Sequence, residues 1–372
     1  HQLENLRIAT SRNLGILGGG PGTGKTVTLA CLIGSLAETI GLNQIAVGAP
    51  TGKAAVRVSE TLASHGINLR ARTWHPMLRG GADGGFLYGP GNPLPHKVLI
   101  GDEHSMVDTD LQAAIFRARA SGTLTLFVGD VNQLPPVGHG APLRDMIAAG
   151  VPYGELTEIK RNDGGIVEAC HAIRQGKRWE PKGNLRLHNA TTPERQIEAI
   201  LDVLEGVRVH NGDVIRDCQV VVPVNDKSPV SRIRLNEILQ RELNPQGETA
   251  KGNPFRIGDK IVNTRNGYVP SIDYDPDDPD TQTNDRGDVY VANGEQGIVA
   301  DVQSNLTVAE LSAPKRTVKI PRGRQDDSGG DSEDKTKTGC AWDLAYAISV
   351  HKSQGSEWPF VLVVLDEYHD AK

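Results

Sequence analysis

Apolar residues in this chain gather in short unbroken runs that stop at glycine or a polar cluster, alternating with longer stretches that are apolar on most faces. Residues 14–17, 44–49, 98–100 and 123–128 have the length of strands buried on both faces, which is the texture of a helix-covered parallel sheet. Stretches 27–40 and 54–63 read as helices packed on that sheet. Residues 1–10 predict a leading helix with Leu3 and Leu6, and Ile8 beside them, facing inward. For 80–95, glycine-rich but holding Phe86 and Tyr88, a surface loop and a small β-hairpin stand as equal readings.

After Gly150 the pattern changes. Residues 155–161 alternate as a short strand, 165–176 and 192–205 read as helices, and 218–222 as a strand. An amphipathic helix is predicted over 228–243, with Ser228 as N-cap before Pro229. Alternation at 255–263 and 317–320, with the turn signal Asn293-Gly294-Glu295-Gln296-Gly297 between them, predicts a small β insertion. Its acidic stretch 273–288 and polar stretch 325–337 read as mobile loops, and 360–365 returns to a buried strand.

A chain of 372 residues predicts two or three domains. Its net charge of -6 gives no global sign of a polyanion binder, so any such binding must come from a local basic groove. Cys31, Cys170, Cys218 and Cys340 form no C-x-x-C pair and read as buried reduced thiols. Without a run of 18 apolar residues or a signal peptide, the chain reads as a cytoplasmic protein with no membrane contact. Starting at His1, it reads as a segment of a longer polypeptide.

The chemistry centres on Gly19-Gly20-Pro21-Gly22-Thr23-Gly24-Lys25-Thr26, which satisfies G-x-x-x-x-G-K-[ST] between a strand and a helix. Such a loop points backbone N–H groups at phosphate oxygens, with Lys25 reaching the terminal phosphates and Thr26 holding Mg2+. Asp102 and Glu103 end the 98–100 strand, where one carboxylate serves Mg2+ and the other accepts a proton from attacking water. Gln133, in the loop after 123–128, offers an amide to orient water or sense the γ-phosphate. Thr51, Gly52 and Lys53 lie where open α/β sheets bind ligands. Two readings stand for Gln2, an exposed polar residue or an adenine contact, and two for Arg161, a surface ion pair or an arginine finger. His351, Lys352, Ser353 and Gln354 supply donors suited to sugar-phosphate contacts.

Together these motifs resemble the RecD-like DNA helicases of superfamily 1, the 5′ to 3′ branch, from Gln2 to Leu365. GGPGTGKT resembles motif I, APTGKAA at 49–55 motif Ia, TWH at 73–75 the next DNA-contacting motif, and DEHSM at 102–106 motif II. GDVNQLPPV at 129–137 resembles motif III, LTEIKR at 156–161 motif IV, and SVHKSQGSE at 349–357 motif V. The resemblance implies an α/β fold of two RecA-like P-loop NTPase lobes, with a small SH3-like β-barrel insertion in the second. The first lobe would span 1–150 with a pin-like insertion at about 80–96, the second 151–250 and 340–372, and the insertion 251–339. The second lobe would be incomplete at its C-terminus.

It further implies ATP-dependent translocation and duplex unwinding, with ATP and Mg2+ as cofactors. Gln2, Gly20, Pro21, Gly22, Thr23, Gly24, Lys25, Thr26 and Glu357 would lie at ATP, with Lys25, Thr26, Asp102, Glu103, Gln133 and Arg161 running hydrolysis and Thr26 and Asp102 holding the metal. Thr51, Lys53, Thr73, His75, His351 and Ser353 would line the DNA track. Partners would be single-stranded DNA, duplex junctions and proteins of a repair, recombination or replication complex. The chain departs from the family pattern at Gly101 and His104, where an aliphatic residue and Ala are usual, and both are expected to be tolerated. The family's arginine-bearing segment after 360–365 does not occur in this sequence. A non-hydrolysing binding subunit built on the motor fold is the alternative; a small-molecule kinase fits the motif series poorly.

Overall fold

The computed structural model describes residues 1–79, 85–158, 164–265, 267–273, 283, 287–312, 315–321 and 342–365. It has two compact units, His1–Leu187 and His188–Lys372.

In the first unit, the helix α1 (Gln2–Ala9) leads into β1 (Leu14–Gly19), followed by α2 (Lys25–Ile40), β2 (Ile45–Ala49) and α3 (Gly52–Ser64). Then come β3 (Arg72–Thr73), the single turn α4 (Trp74–Met77), β4 (Val98–Gly101), α5 (Thr109–Ala118), β5 (Leu124–Gly129), α6 (Pro142–Ala148), β6 (Tyr153–Leu156) and α7 (Gly165–Arg174). The strands form one six-stranded sheet in the order β3-β2-β4-β5-β1-β6, parallel at every pairing.

The unbroken apolar runs follow from this burial. Successive strand residues point to opposite faces, so Leu17, Val47, Ile100 and Val128 pack with Leu29 and Ile33 of α2 on one side. Ile16, Leu99 and Phe127 pack with Trp74 and Ile115 on the other. Each such fully buried side chain contributes about 1.5–3 kcal/mol. Because the strands run the same way, the loops after β1, β2, β4 and β5 all leave from one edge.

Past Gly150 the chain continues into this sheet, since β6 pairs in register with β1, Ile16 opposite Tyr153. The 155–161 strand therefore starts two residues early; 159–163 lie outside the described residues. In α1 only one side is covered: Ala9 is buried and Leu6 packs partly on the core, whereas Leu3 and Ile8 are exposed, contrary to expectation. Cys31 is likewise exposed and Cys170 half-buried, leaving Cys218 as the buried thiol among the described cysteines. In 80–95 the described part makes a tight turn closed by a Gly89–Asn92 bridge.

The second unit opens with α8 (Pro193–Val209), α9 (Val214–Asp217), β7 (Cys218–Val222) and α10 (Arg232–Leu243). Ser228 does not cap α10: its hydroxyl accepts from Val230 N within a turn, and the helix starts beyond Ser231. Next are β8 (Lys260–Asn263), β9 (Gly267–Val269), β10 (Val289–Val291), β11 (Gln296–Gln303), β12 (Leu306–Ser312), β13 (Lys315–Pro321), β14 (Trp342–Leu344), β15 (Ala347–Ser349), α11 (Val350–Ser353) and β16 (Phe360–Val363). β7 lies between β15 and β16 in a parallel sheet. An antiparallel sheet of five strands has the order β13-β12-β11-β8-β14, and β9 and β10 form a separate ribbon. The strand expected at 255–263 is shortened to β8 because Gly258, at φ +88°, turns the chain. Residues 274–282, 284–286 and 322–341, which cover most of the two expected mobile loops, lie outside the described residues. Among the described residues, no helix is long and apolar enough to cross a membrane.

Candidate active site

Glycine geometry shapes the loop between β1 and α2. Gly24, at φ +82°, occupies the left-handed region as the residue before α2, a conformation cheap for glycine alone. A Cβ on Gly19 would come within 2.7 Å of Thr23 Oγ1 and 2.8 Å of Leu156 O. Thr23, buried, donates its hydroxyl to Gly20 O at 2.8 Å. Lys25 Nζ donates to Gly19 O at 2.8 Å and Gly20 O at 3.1 Å, curling over the loop it follows. Gln2 meets the same loop, its amide donating to Thr23 O at 3.4 Å. Thr26 is half-buried on the first turn of α2.

Two strands away, Asp102 follows β4 with its N–H bonded to Gly48 O at 2.9 Å. Its carboxyl is buried and held well above the usual carboxylate range, first by loss of water and then by the neighbouring Glu103 charge; the Lys25 and Arg57 charges act the other way. Glu103 has φ 47° and ψ 39°, an unusual conformation for a residue with a side chain. One of its carboxylate oxygens is buried with no hydrogen-bond partner. A pair of crowded carboxylates near a lysine, with a Glu103 oxygen left without a donor, fits a divalent cation beside Asp102, because such an ion supplies the charge compensation that burial withholds.

Gly101 and His104, the two departures from the family pattern, explain each other. His104 is fully buried, stacked on Phe127 with ring centroids 3.7 Å apart. Its Nε2 meets Gln112 Oε1 at 2.5 Å. A Cβ on Gly101 would lie 2.8 Å from His104 Nδ1, 2.9 Å from a Phe127 ring carbon and 3.0 Å from Trp74. The glycine therefore makes room for the imidazole directly behind the Asp-Glu pair. Burial lowers the His104 pKa to about 4, so the ring is neutral at pH 7.

Gln133 sits in the loop after β5, its amide oxygen 3.5 Å from Ser105 Oγ. Arg161 lies outside the described residues. Thr51 is the N-cap of α3, its hydroxyl accepting from Ala54 N at 3.2 Å, and Lys53 follows in the first turn. Thr73 is beside them in the sheet, since Ala49 and Thr73 pair in register. His75 is half-buried, its ring 5.9 Å from Phe86, and desolvation lowers its pKa against the opposing pull of Asp108.

The remaining candidates lie in the second unit. His351 is exposed on α11, Ser353 donates its hydroxyl to Val350 O at 2.8 Å, and Glu357 is exposed beyond the helix.

One group was not foreseen from the sequence. Arg174, the last residue of α7, forms an ion pair with the buried carboxylate of Asp130, beside the phosphate loop. A cation in the last turn of a helix reads as ordinary dipole compensation; the one available signal was the glycine at position 20, which the phosphate-loop pattern leaves unrestricted.

A parallel α/β sheet carrying this loop after one strand and an Asp-Glu pair after another defines a P-loop nucleotide-binding protein. The chain belongs to the AAA domain family, whose model matches residues 1–190. Residues 344–372 match the UvrD-like helicase C-terminal domain. The chain is 33% identical to the ATP-dependent RecD2 DNA helicase of Deinococcus radiodurans, over 99% of its own length and 45% of the relative's. It is 27% identical to the RecBCD enzyme subunit RecD of Mycobacterium tuberculosis, over 98% of this chain and 64% of that one. The chain thus spans about half to two-thirds of the length of these curated relatives. A Pif1 helicase structure solved in a study of unwinding at forked double-stranded DNA shares the fold, with a TM-score of 0.51 at 19% identity, covering 97% of this chain and 84% of that one.

Proposed function

We propose that this chain is the motor portion of an ATP-driven helicase that moves 5′ to 3′ on single-stranded DNA and opens duplex junctions. The observation that carries the reading is the facing of Lys25 and the Asp102–Glu103 pair across one sheet edge, with Asp102 buried and one buried Glu103 oxygen left without a donor. In this reading Lys25 and the loop N–H groups hold the phosphates, Gln2 contacts the adenine, and Glu103 takes a proton from the attacking water. Thr26 and Asp102 would hold Mg2+, which when bound neutralises charge on the phosphate oxygens. Gln133 orients the water or senses the terminal phosphate, Arg161 supplies a further cation, and Glu357 lies near the nucleotide.

Thr51, Lys53, Thr73, His75, His351 and Ser353 are proposed to line the strand. Desolvation of His75 favours its neutral form, which suits stacking or hydrogen bonding rather than ion pairing. We further assign the two compact units to two RecA-like lobes, the antiparallel sheet of the second to an SH3-like insertion, and the turn around Gly89 to a pin-like insertion. The RecBCD association of the mycobacterial relative supports protein partners in repair, and the family supports a soluble setting with DNA. Alternating grip on the strand, driven by nucleotide turnover, converts conformational change into stepping.

The test is unwinding of forked substrates bearing only a 5′ or only a 3′ single-stranded tail, with binding measured over a salt series. Unwinding confined to the 5′-tailed fork, with affinity falling steeply as salt rises, is expected. Affinity independent of salt, or no unwinding by the complete polypeptide, contradicts the reading.

A further inference from the structure

Position 20 of the phosphate loop is glycine although the loop pattern permits any residue there. The structure supplies the reason. A Cβ on Gly20 would come 2.5 Å from Arg174 Nη1, 3.4 Å from its Cζ and 3.6 Å from Nη2, so the Nη1 end of the guanidinium abuts this residue. Gly20 O also accepts from Lys25 Nζ at 3.1 Å, which brings two cations onto one loop residue. Arg174 is held there by Asp130, whose side chain is only 3% exposed and whose other oxygen accepts from Asn132 N at 3.0 Å. Glu155, Asp130 and Arg174 also all act on the nearby Tyr153 hydroxyl, so the pair sits within a small charged cluster at the ends of β1, β5 and β6.

We propose that Arg174 is a ligand for the terminal phosphate of a bound nucleoside triphosphate, with Asp130 as its alternative partner. The proposal rests on the assignment of 19–26 as the nucleotide site and names a discriminating residue within it. A guanidinium binds phosphate and carboxylate with the same forked geometry. Bordering the residue whose carbonyl Lys25 Nζ also reaches, it would be contested between Asp130 and a third phosphate and left on Asp130 by a diphosphate. Release of Asp130 would free the C-terminal end of α7 and the Asp130–Gln133 turn together, coupling the triphosphate state to motif III. The Gln133 N–H bonds to Asp130 O at 3.1 Å within that turn.

Equilibrium binding of a fluorescent, slowly hydrolysed ATP analogue and of fluorescent ADP to the complete polypeptide tests this. Arg174→Ala is expected to weaken the triphosphate analogue by roughly tenfold, the order of one charge-assisted bond, with ADP unchanged. Arg174→Lys should recover part of the loss, because the charge remains while the fork is lost. Asp130→Asn, nearly isosteric, should tighten the triphosphate severalfold, and adding Arg174→Ala to it should erase the gain. Equal losses for both nucleotides, or weakening by Asp130→Asn that matches Arg174→Ala, would make the pair a structural ion pair and overturn the proposal. Lys25→Ala separates the two levels: if it leaves both nucleotides bound, the site assignment itself is wrong; if it releases both while Arg174→Ala leaves the triphosphate preference intact, only the Arg174 proposal fails.

Discussion

The phosphate-loop edge of the first unit and the α11 region of the second carry candidate residues in opposite physical states. Around the loop, Thr23, Asp102, His104 and Asp130 are buried, and Glu103 keeps a buried carboxylate oxygen. On α11, His351 is exposed and Ser353 bonds within its own turn. Burial makes charges act strongly on one another and fixes their geometry, which bond-breaking requires. Exposure leaves donors hydrated and interchangeable, which suits a polymer gripped along its backbone without regard to sequence. The contrast predicts that substitutions in the first region change rates and stability, whereas those in the second change DNA affinity.

The largest expected effect is at Lys25. Lys25→Ala should lower ATP turnover at least about 100-fold, the scale of losing one preorganised electrostatic contact, while single-strand binding stays measurable in a fluorescence titration. Turnover near that of the parent protein would dissolve the contrast between the regions.

Stability comes next. Gly101→Ala should destabilise the first unit by about 1–3 kcal/mol through crowding of His104, Phe127 and Trp74. Combined with His104→Ala, the added methyl should cost less than it does alone, with a coupling of about 0.5–3 kcal/mol in denaturant unfolding. Strict additivity would show that the two departures from the family pattern are unrelated.

A pH dependence sharpens the same point. His104 takes up its proton near 6.5 when unfolded but only near about 4 when folded. Between those values the unfolded chain binds the extra proton, so folding stability falls as pH drops. From pH 7 to pH 5 the parent should lose about 1–2 kcal/mol more than His104→Ala does. Parallel losses in the two proteins would place the ring in water.

The smallest effect belongs to Thr51, which links the two kinds of region because it both caps a helix and is a proposed strand contact. Thr51→Ala should cost about 1 kcal/mol, whereas Thr51→Ser should retain the cap. A DNA-affinity loss in both variants, read at constant stability, would assign the contact to the methyl rather than the hydroxyl.

Much of this was legible beforehand because burial on two faces leaves a plain record in the sequence. β7 was expected at 218–222 and is found there, and the loop, the Asp-Glu pair and Gln133 all leave the same sheet edge. What was not legible depended on contacts between distant segments. β6 joins β1 across more than a hundred residues, a pairing that the change of pattern after Gly150 does not announce. α1 was read as amphipathic, yet the sheet covers only the side of Leu6 and Ala9, leaving Leu3 and Ile8 outside. Ser228 has the chemistry of a cap but spends its hydroxyl on Val230 N. Arg174 and Asp130 are 44 residues apart, and no local pattern announces their meeting over Gly20. Gly101 and His104 looked like two separate substitutions; only the packing makes them one.

The most direct measurement is the rate of ATP hydrolysis by the parent protein and by Glu103→Gln, each with and without single-stranded DNA. Hydrolysis stimulated by the strand in the parent, and lost by about two orders of magnitude or more in Glu103→Gln while ATP still binds, is the expected result. Equal hydrolysis in the two proteins, or none in either with DNA bound normally, would contradict a motor at this site and leave a nucleic-acid-binding subunit in its place.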